Sequence, residues 1–352
     1  MIESEARQIV ESGWLTRGIH CEKFREDLMA YTGAAYCALT TSATTALYSC
    51  LKILGIGPGD EVAVSDFSFP ASSNVIEETG ARPIFIDVCP DSFNMDLEDL
   101  KQNWNANIKA VIFVDAFGNL THLKQVVNFC RDNNVPLIED AACALGGRVG
   151  SDPSGSIADL TCFSFHPRKL LTTGEGGAIT SRSEKFSNLI DQFLNHGSRI
   201  IDNQFDFYGS GQNFRMSELQ ALMGWKQLPL LDDMINERLK LRTYFSDALV
   251  NLGFKPQRIE HNVHSSLQSL VYKVPSCLNR DELIIHLKTN GVESTLGTYC
   301  LSGTKYNRQK YNSVRPISKA LQDSTITIPC YYGMPKDKVI EIIYDVVSSL
   351  RS

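Results

Sequence analysis

The sequence predicts an α/β protein: a large domain with a mainly parallel mixed sheet flanked by helices, followed by a smaller C-terminal α+β domain. Short apolar runs alternate with amphipathic stretches between residues 36 and 194, which is typical of βαβ units. A long helical stretch with a break at Pro229 then leads into a shorter remainder. A chain of 352 residues is long enough for about two domains. We therefore predict a large domain over residues 1–230 and a small domain over residues 231–352.

The strands of the large domain are predicted from apolar runs with the length of buried strands. They lie at residues 36–40, 61–65, 83–88, 110–115, 135–140, 160–165 and 178–180. Helices are predicted at residues 21–31, 41–54, 72–79, 97–104, 123–133 and 184–194. The basis is clearest in the second helix, where Leu47, Cys50, Leu51 and Leu54 recur at the helical spacing i, i+3, i+4, i+7.

The remaining elements are fewer. Residues 198–211 are polar, aromatic and glycine-bearing without a clear period, so no element is predicted there. A helix over residues 219–249 should break at Pro229. In the small domain we predict strands at 271–274 and 324–328, and helices at 281–290 and 336–350.

Composition excludes several classes of protein. The net charge is −6 without a basic tract, which argues against nucleic acid or an anionic membrane as a partner. No apolar run has membrane-spanning length, and residues 1–7 lack the apolar core of a signal peptide. The ten cysteines lack metal-type spacing, so no metal is predicted. We interpret Cys50, Cys130, Cys162 and Cys277 as reduced core thiols of a cytoplasmic protein.

One lysine is the strongest candidate for chemistry. Lys169 follows the apolar run 160–165 and precedes a turn rich in glycine and threonine. A lysine there is either a solvated loop charge or a nucleophile held in a cleft. Asp140 ends another apolar run and is either a helix cap or a second catalytic group. Catalytic groups of open α/β sheets lie at the carboxyl ends of strands, so both side chains could reach one crevice. A lysine that forms a Schiff base and an aspartate facing a pyridinium nitrogen are typical of pyridoxal 5′-phosphate (PLP) enzymes.

A second candidate is the hydroxyl-rich turn Thr41-Ser42-Ala43-Thr44 before the second helix. Free N–H groups and the helix dipole make such a turn a potential phosphate site. The alternative is an ordinary Ser/Thr helix cap.

Four motifs together resemble the DegT/DnrJ/EryC1/StrS family of PLP-dependent sugar aminotransferases. They are Ser-Phe-His-Pro-Arg-Lys at 164–169, Gly-Glu-Gly-Gly at 174–177, Glu-Asp-Ala-Ala at 139–142 and Gly-Pro-Gly-Asp-Glu-Val at 57–62. The resemblance runs from about Trp14 to the C-terminal helix. It implies PLP fold type I, PLP as cofactor with pyridoxamine phosphate (PMP) as intermediate, and a homodimer with shared active sites.

The resemblance also implies roles for individual residues. Lys169 and Asp140 would be catalytic, as the covalent anchor of the cofactor and the partner of its ring nitrogen. The other implied cofactor-binding residues are Ser42, Ala43, Thr44 and Ser164 at the phosphate together with the partner subunit's Asn213, Phe69 over the ring, and Cys143 beside a ring substituent.

This sequence departs from the family pattern at three places. Ala43 replaces a glycine, Cys143 replaces a glutamine or histidine, and residues 294–300 lack a histidine pair found in many relatives. The third departure bears on the acceptor.

The resemblance implies transfer of an amino group from glutamate or glutamine to a keto sugar. The acceptor would be a nucleotide-linked keto-deoxyhexose used in surface polysaccharide, such as lipopolysaccharide O-antigen, or in natural-product sugar biosynthesis. Two alternatives stay open: a PLP- or PMP-dependent sugar dehydratase, against which Lys169 argues, and a non-catalytic regulatory or binding protein that retains the fold.

Overall fold

The computed structural model describes residues 2–351, so Met1 and Ser352, the outer ends of the two predicted domains, lie outside the described residues. The strands in chain order are β1 Tyr36–Thr40, β2 Glu61–Ser65, β3 Phe67–Ser68, β4 Arg82–Ile86, β5 Ile108–Val114, β6 Leu137–Asp140, β7 Arg148–Val149, β8 Asp152–Pro153, β9 Leu160–Ser164, β10 Gly177–Ser181, β11 Ser198–Ile201, β12 Gln204–Phe207, β13 Lys255–Pro256, β14 Val263–His264, β15 Leu270–Lys273, β16 Thr295–Leu296, β17 Tyr299–Cys300 and β18 Thr325–Ile328.

The helices in chain order are α1 Ile2–Ser12, α2 Ile19–Thr32, α3 Ala43–Ile53, α4 Ala71–Glu78, α5 Leu97–Gln102, α6 Leu123–Asp132, α7 Ser187–Leu194, α8 Glu218–Gln227, α9 Leu231–Val250, α10 Arg280–Thr289, α11 Lys305–Tyr311, α12 Pro316–Ser324 and α13 Lys336–Arg351. A 3₁₀ turn, Leu228–Leu230, joins α8 to α9 at the predicted proline break.

A seven-stranded mixed sheet of order β1-β10-β9-β6-β5-β2-β4 forms the centre of the protein. The strands from β9 to β4 pair in parallel, and β10 is antiparallel to both of its neighbours. Hydrophobic clusters bury both faces, one mainly under α2 and α6 and the other under α3, α4 and α7. The predicted α/β class with a mainly parallel mixed sheet is confirmed.

The C-terminal elements build a smaller antiparallel sheet of order β13-β15-β18-β16. Apolar residues of α9, α10 and α13 pack with it in a separate hydrophobic cluster. Two short C-terminal strands pair with strands from the first half of the chain: β17 pairs with β3, and β14 pairs with β7. The exact boundary near residue 230 stays a prediction.

Several elements were not predicted. Residues 198–211 contain the antiparallel hairpin β11–β12 instead of an irregular segment. Helices α1, α11 and α12 were also missed. The structure describes all ten cysteines as free thiols, and Cys50, Cys130 and Cys162 are buried as predicted. The prediction for Cys277 was wrong, because this residue is exposed in the turn that precedes α10.

Between residues 2 and 351, no helix is long and apolar enough to cross a bilayer. The same range contains no group of histidine, cysteine and carboxylate side chains arranged to hold a metal ion.

A buried carboxylate fastens the N-terminal segment to α8. Glu218 accepts hydrogen bonds from the backbone N–H groups of Gly18, His20 and Cys21 at 2.8–2.9 Å, and from the His20 ring at 2.9 Å. Burial alone would raise the pKa of Glu218, but these donors outweigh it and the pKa is lowered. The carboxylate therefore stabilises the folded chain in its ionised form.

We expect Glu218→Gln to lower the free energy of unfolding by about 1–3 kcal/mol, because the amide keeps the shape but loses the charge-assisted acceptor. Urea unfolding measures the change. Because the native pKa is lowered, the stabilisation should be present above the ordinary glutamate pKa and lost as the pH falls. Glu237→Gln, on the exposed face of α9, is the matched control and should change stability little. Equal losses in both variants would contradict this role.

Candidate active site

Asp140 is the buried acid at the carboxyl end of β6. Ser72 at the start of α4 donates its hydroxyl to Oδ2 of Asp140 at 2.7 Å, and the Ala142 N–H donates to Oδ1 at 3.2 Å. Burial raises the pKa of Asp140, and these two donors and the positive charge of Lys169 offset part of that rise. The carboxylate is therefore held in one orientation by two donors from the protein.

Lys169 lies in the loop after β9, half-buried. Its Nζ donates to Sγ of Cys143 at 3.1 Å, which places the amine beside the segment that follows Asp140. The loop is held from the C-terminal side by Gln268, whose Oε1 accepts from the Leu170 N–H at 3.1 Å and whose Nε2 donates to the Arg168 carbonyl at 2.5 Å. The amine is thus positioned by its surroundings, which argues against a freely solvated loop charge.

The turn before α3 is both a helix cap and a candidate anion site. Ser42 is the N-cap, and its hydroxyl accepts from the Thr45 N–H at 3.1 Å while Thr45 Oγ1 accepts from the Ser42 N–H at 3.1 Å. The N–H groups of Ala43 and Thr44 belong to the first helical turn, whose donors lack intrahelical partners. Thr44 is exposed, so its hydroxyl is accessible to a ligand.

Strand pairing brings Ser164 to the same edge as this turn. Gly177, the first residue of β10, pairs with Thr40 on one side and Ser164 on the other. A Cβ on Gly177 would lie 2.5 Å from the Ser42 carbonyl carbon. Only glycine permits this close approach, which explains the last glycine of the Gly-Glu-Gly-Gly motif.

Phe69 lies between β3 and α4 with 65% of its surface exposed. Its ring meets the Tyr299 ring edge-on at a centroid distance of 6.4 Å. The neighbouring hydroxyls link this region to the acid, because Ser68 Oγ lies 2.9 Å from Ser72 Oγ, which donates to Asp140. An exposed aromatic ring therefore stands near the buried carboxylate.

Asn213 lies beside the turn before α3, because the carbonyl of the next residue, Phe214, accepts from the Thr41 N–H at 3.0 Å and Arg215 bridges Thr40. Asn213 is exposed and forms a backbone bridge with Asn195, outside the edge strand β1. The hairpin β11–β12 precedes it and exposes apolar side chains, with Ile200 71%, Phe205 62% and Phe207 61% exposed.

The sequence analysis did not identify Asp115 and Glu139, two buried acids next to Asp140. Asp115 follows β5 fully buried, and among residues 2–351 neither of its oxygens has a protein hydrogen-bond donor unless a neighbouring carboxyl is protonated. Burial and the adjacent Glu139 raise the pKa of Asp115 well above its usual value. The raised pKa favours the neutral form of Asp115, which adds no repulsion against an ionised Asp140. The backbone N–H of Asp115 donates to the Asp140 carbonyl at 3.2 Å.

A cavity of about 890 Å³ lies beside the outer edge of β1, between α2, α7 and the hairpin. Its lining includes four arginines, Arg17, Arg25, Arg199 and Arg215, and two acids, Glu22 and Asp191. Of these, Arg25 is paired with Glu22, and Arg215 donates to the Asn195 side-chain oxygen.

The arrangement fits a planar, phosphate-bearing cofactor. A helix N-terminus with hydroxyls is suited to a phosphate, and an exposed aromatic ring is suited to a flat ring. A buried carboxylate suits a protonated ring nitrogen, and a positioned amine suits a carbonyl carbon.

Comparison with known proteins agrees with this interpretation of the site. A family model described as the DegT/DnrJ/EryC1/StrS aminotransferase family matches residues 1–347. The chain is 28% identical to the GDP-perosamine synthase of Vibrio cholerae, covering 95% of this chain and 92% of that protein. It is 30% identical to the spore coat polysaccharide biosynthesis protein SpsC of Bacillus subtilis, covering 97% and 93%.

The fold also matches a solved structure, that of Spr1654 from Streptococcus pneumoniae in its PLP form. The TM-score is 0.91 at 27% identity, covering 100% of this chain and 97% of that chain. The family match over nearly the whole length, the fold and the residues that converge at the sheet edge agree. The chain therefore belongs to the DegT/DnrJ/EryC1/StrS aminotransferase family.

Proposed function

We propose that this chain is a PLP-dependent aminotransferase that moves an amino group from glutamate or glutamine to a nucleotide-linked keto sugar. The observation that carries the proposal is the convergence of Lys169 and Asp140, which are 29 positions apart in the sequence. Lys169 lies close enough to lower the pKa of the buried Asp140. Spr1654, which shares the fold, has both PLP and PMP forms.

PLP would supply an electron sink for the carbon that loses its proton. Lys169 would anchor the cofactor through its amine and then carry a proton between that carbon and the cofactor, as base and then acid. Asp140 would stay ionised and keep the ring nitrogen protonated, since facing opposite charges favour both ionised forms. Phe69 would cover one face of the ring, and Cys143 would border its edge.

The phosphate would lie at the N-terminus of α3. Ser42, Ala43, Thr44 and Ser164 would hold it on the protomer that carries Lys169. The partner subunit's Asn213 would complete the site. The exposed position of Asn213 and the apolar surface of the adjacent hairpin support a homodimer with shared sites, because such a surface is typical of an interface.

The named relatives support a nucleotide-linked acceptor, as in the GDP-perosamine synthase of Vibrio cholerae. Surface polysaccharide biosynthesis is the process we propose, as in the relative SpsC. The free cysteines agree with a reducing, cytoplasmic location.

The test is donor-dependent amination of a panel of nucleotide-linked keto sugars. Purified protein with PLP is incubated with glutamate or glutamine, and the amino sugar and the keto acid are measured together. We expect equal amounts of both products from one acceptor class. Cofactor binding that yields a dehydrated sugar and no amino sugar would favour the dehydratase. No change in the cofactor spectrum with either donor would favour a binding protein.

Ser72 provides a finer prediction. Removing its hydroxyl takes one donor from a buried carboxylate, so Ser72→Ala should raise the pKa of Asp140 further. We expect PLP to be released at a higher pH during acidification, and turnover at neutral pH to fall by about tenfold, equivalent to roughly 1.4 kcal/mol. Absorbance titration measures the release. Ser73→Ala is the matched control, since Ser73 bonds only a local carbonyl, that of Pro70, at 3.2 Å. An unchanged titration in Ser72→Ala would remove Ser72 from this role.

A further inference from the structure

Cys143 and Lys169 form a contact between two nucleophiles. Sγ and Nζ are 3.1 Å apart, and both side chains are only partly buried, so small molecules can reach them. The contact is held from both sides. The Ser266 hydroxyl donates to the Cys143 carbonyl at 2.8 Å, and Gln268 bonds the backbone on either side of Lys169.

Most other cysteines are in unreactive surroundings. Burial raises the thiol pKa of seven of them, and a raised pKa suppresses the thiolate that reacts with oxidants. These are Cys21, Cys37, Cys89, Cys130, Cys162, Cys300 and Cys330. Cys50 is also buried and contacts Cys162 at 3.5 Å in the core. Cys143 differs from all of these because a lysine amine is in contact with its sulfur.

We propose that Cys143 is a peroxide-oxidation site and that Lys169 closes the oxidised thiol into a reversible Lys–Cys crosslink. In the first step, the thiolate attacks a peroxide oxygen, the O–O bond breaks, and sulfenic acid and hydroxide form. In the second step, the Lys169 amine attacks the sulfur, the S–O bond breaks, and water leaves as the S–N bond forms. Sulfur loses two electrons and hydrogen peroxide is reduced to two waters.

The second step is the side-chain counterpart of the known condensation of a sulfenic acid with a backbone nitrogen. It competes well with further oxidation because the amine is already in contact with the sulfur, and a held contact acts at high effective concentration. A thiol reductant attacks the sulfur of the S–N bond, frees the amine and restores the cysteine by exchange. The crosslink therefore protects both groups while the chain is without cofactor.

The experiment treats the full-length chain, stripped of small molecules, with hydrogen peroxide and maps its peptides by mass spectrometry. We expect the peptides carrying Cys143 and Lys169 to be joined, with a combined mass lower by two hydrogens, and to separate after dithiothreitol. Cys277→Ser, which removes the exposed cysteine, should form the same crosslink, whereas Cys143→Ser should not. The deciding measurement is the crosslink in the wild-type chain, so a folding defect in either variant does not affect it.

Detection of only sulfinic acid, or of a disulfide, at Cys143 would overturn the proposal. A parallel sample saturated with PLP before peroxide should lack the crosslink, because Lys169 is then engaged; this arm alone rests on the proposed function. A crosslink in both samples would support the oxidation site while contradicting the role of Lys169 as anchor. The two proposals can therefore fail separately.

Discussion

Lys169→Ala is expected to abolish turnover, with a loss of at least about 10⁴-fold. General acid–base catalysis by a positioned side chain contributes about 10²- to 10⁴-fold, and the variant also loses the covalent anchor. Borohydride reduction of the PLP-loaded protein followed by peptide mapping measures the anchor directly. Wild-type protein should retain the cofactor on the peptide that contains Lys169, and the variant should retain none.

Two further variants separate chemistry from charge and folding. Lys169→Arg keeps the positive charge but cannot give up its proton, so it should be as inactive as the alanine variant. Lys101→Ala removes an exposed lysine paired with Glu98 on α5 and should have normal turnover. Substantial turnover in Lys169→Ala, or cofactor trapped on another lysine, would refute the assignment.

The sequence predicted those parts of the fold that depend on local pattern. The runs at 36–40 and 61–65 match β1 and β2, because buried strands of a mainly parallel sheet are continuous apolar segments. The hairpin β11–β12 was missed because each strand has only four residues, and the alternation of Phe205 and Phe207 with Gln204 and Asp206 is confined to β12.

The same distinction applies to the site. Lys169 and Asp140 could be predicted because each follows an apolar run in a recognisable motif. Ser72, Gln268 and Asp115 could not, since their importance comes from contacts with residues far away in the chain. Ser72 lies 68 positions from Asp140, and its place in a helix that begins beside a buried acid has no local signature.

Asp140→Asn is expected to reduce turnover by up to about 10³-fold while leaving the fold intact. The amide has the size of the carboxylate but cannot balance a positive ring nitrogen. An opposite charge in contact changes a pKa by about 1–3, so its loss lowers the protonated fraction of the ring by a corresponding power of ten. Asp152→Asn is the control, because that aspartate is exposed and pairs with Lys124 at the surface.

The pH dependence gives a second readout for the same residue. Burial raises the pKa of Asp140, so protonation on acidification should begin above the range of an ordinary aspartate, about 3.9. PLP affinity should therefore fall as the pH drops through this raised pKa, since the protonated acid no longer pairs with the ring. In the cofactor-free chain, pH changes the folding stability in the opposite direction. Because the pKa of Asp140 is raised in the native state, stability falls as the pH rises from the ordinary aspartate pKa to the raised one. Asp140→Asn should remove the pH dependence of PLP affinity and reduce that of stability, to which Asp115 with its own raised pKa also contributes. An unchanged pH dependence of PLP affinity in the variant would assign the titration to another group.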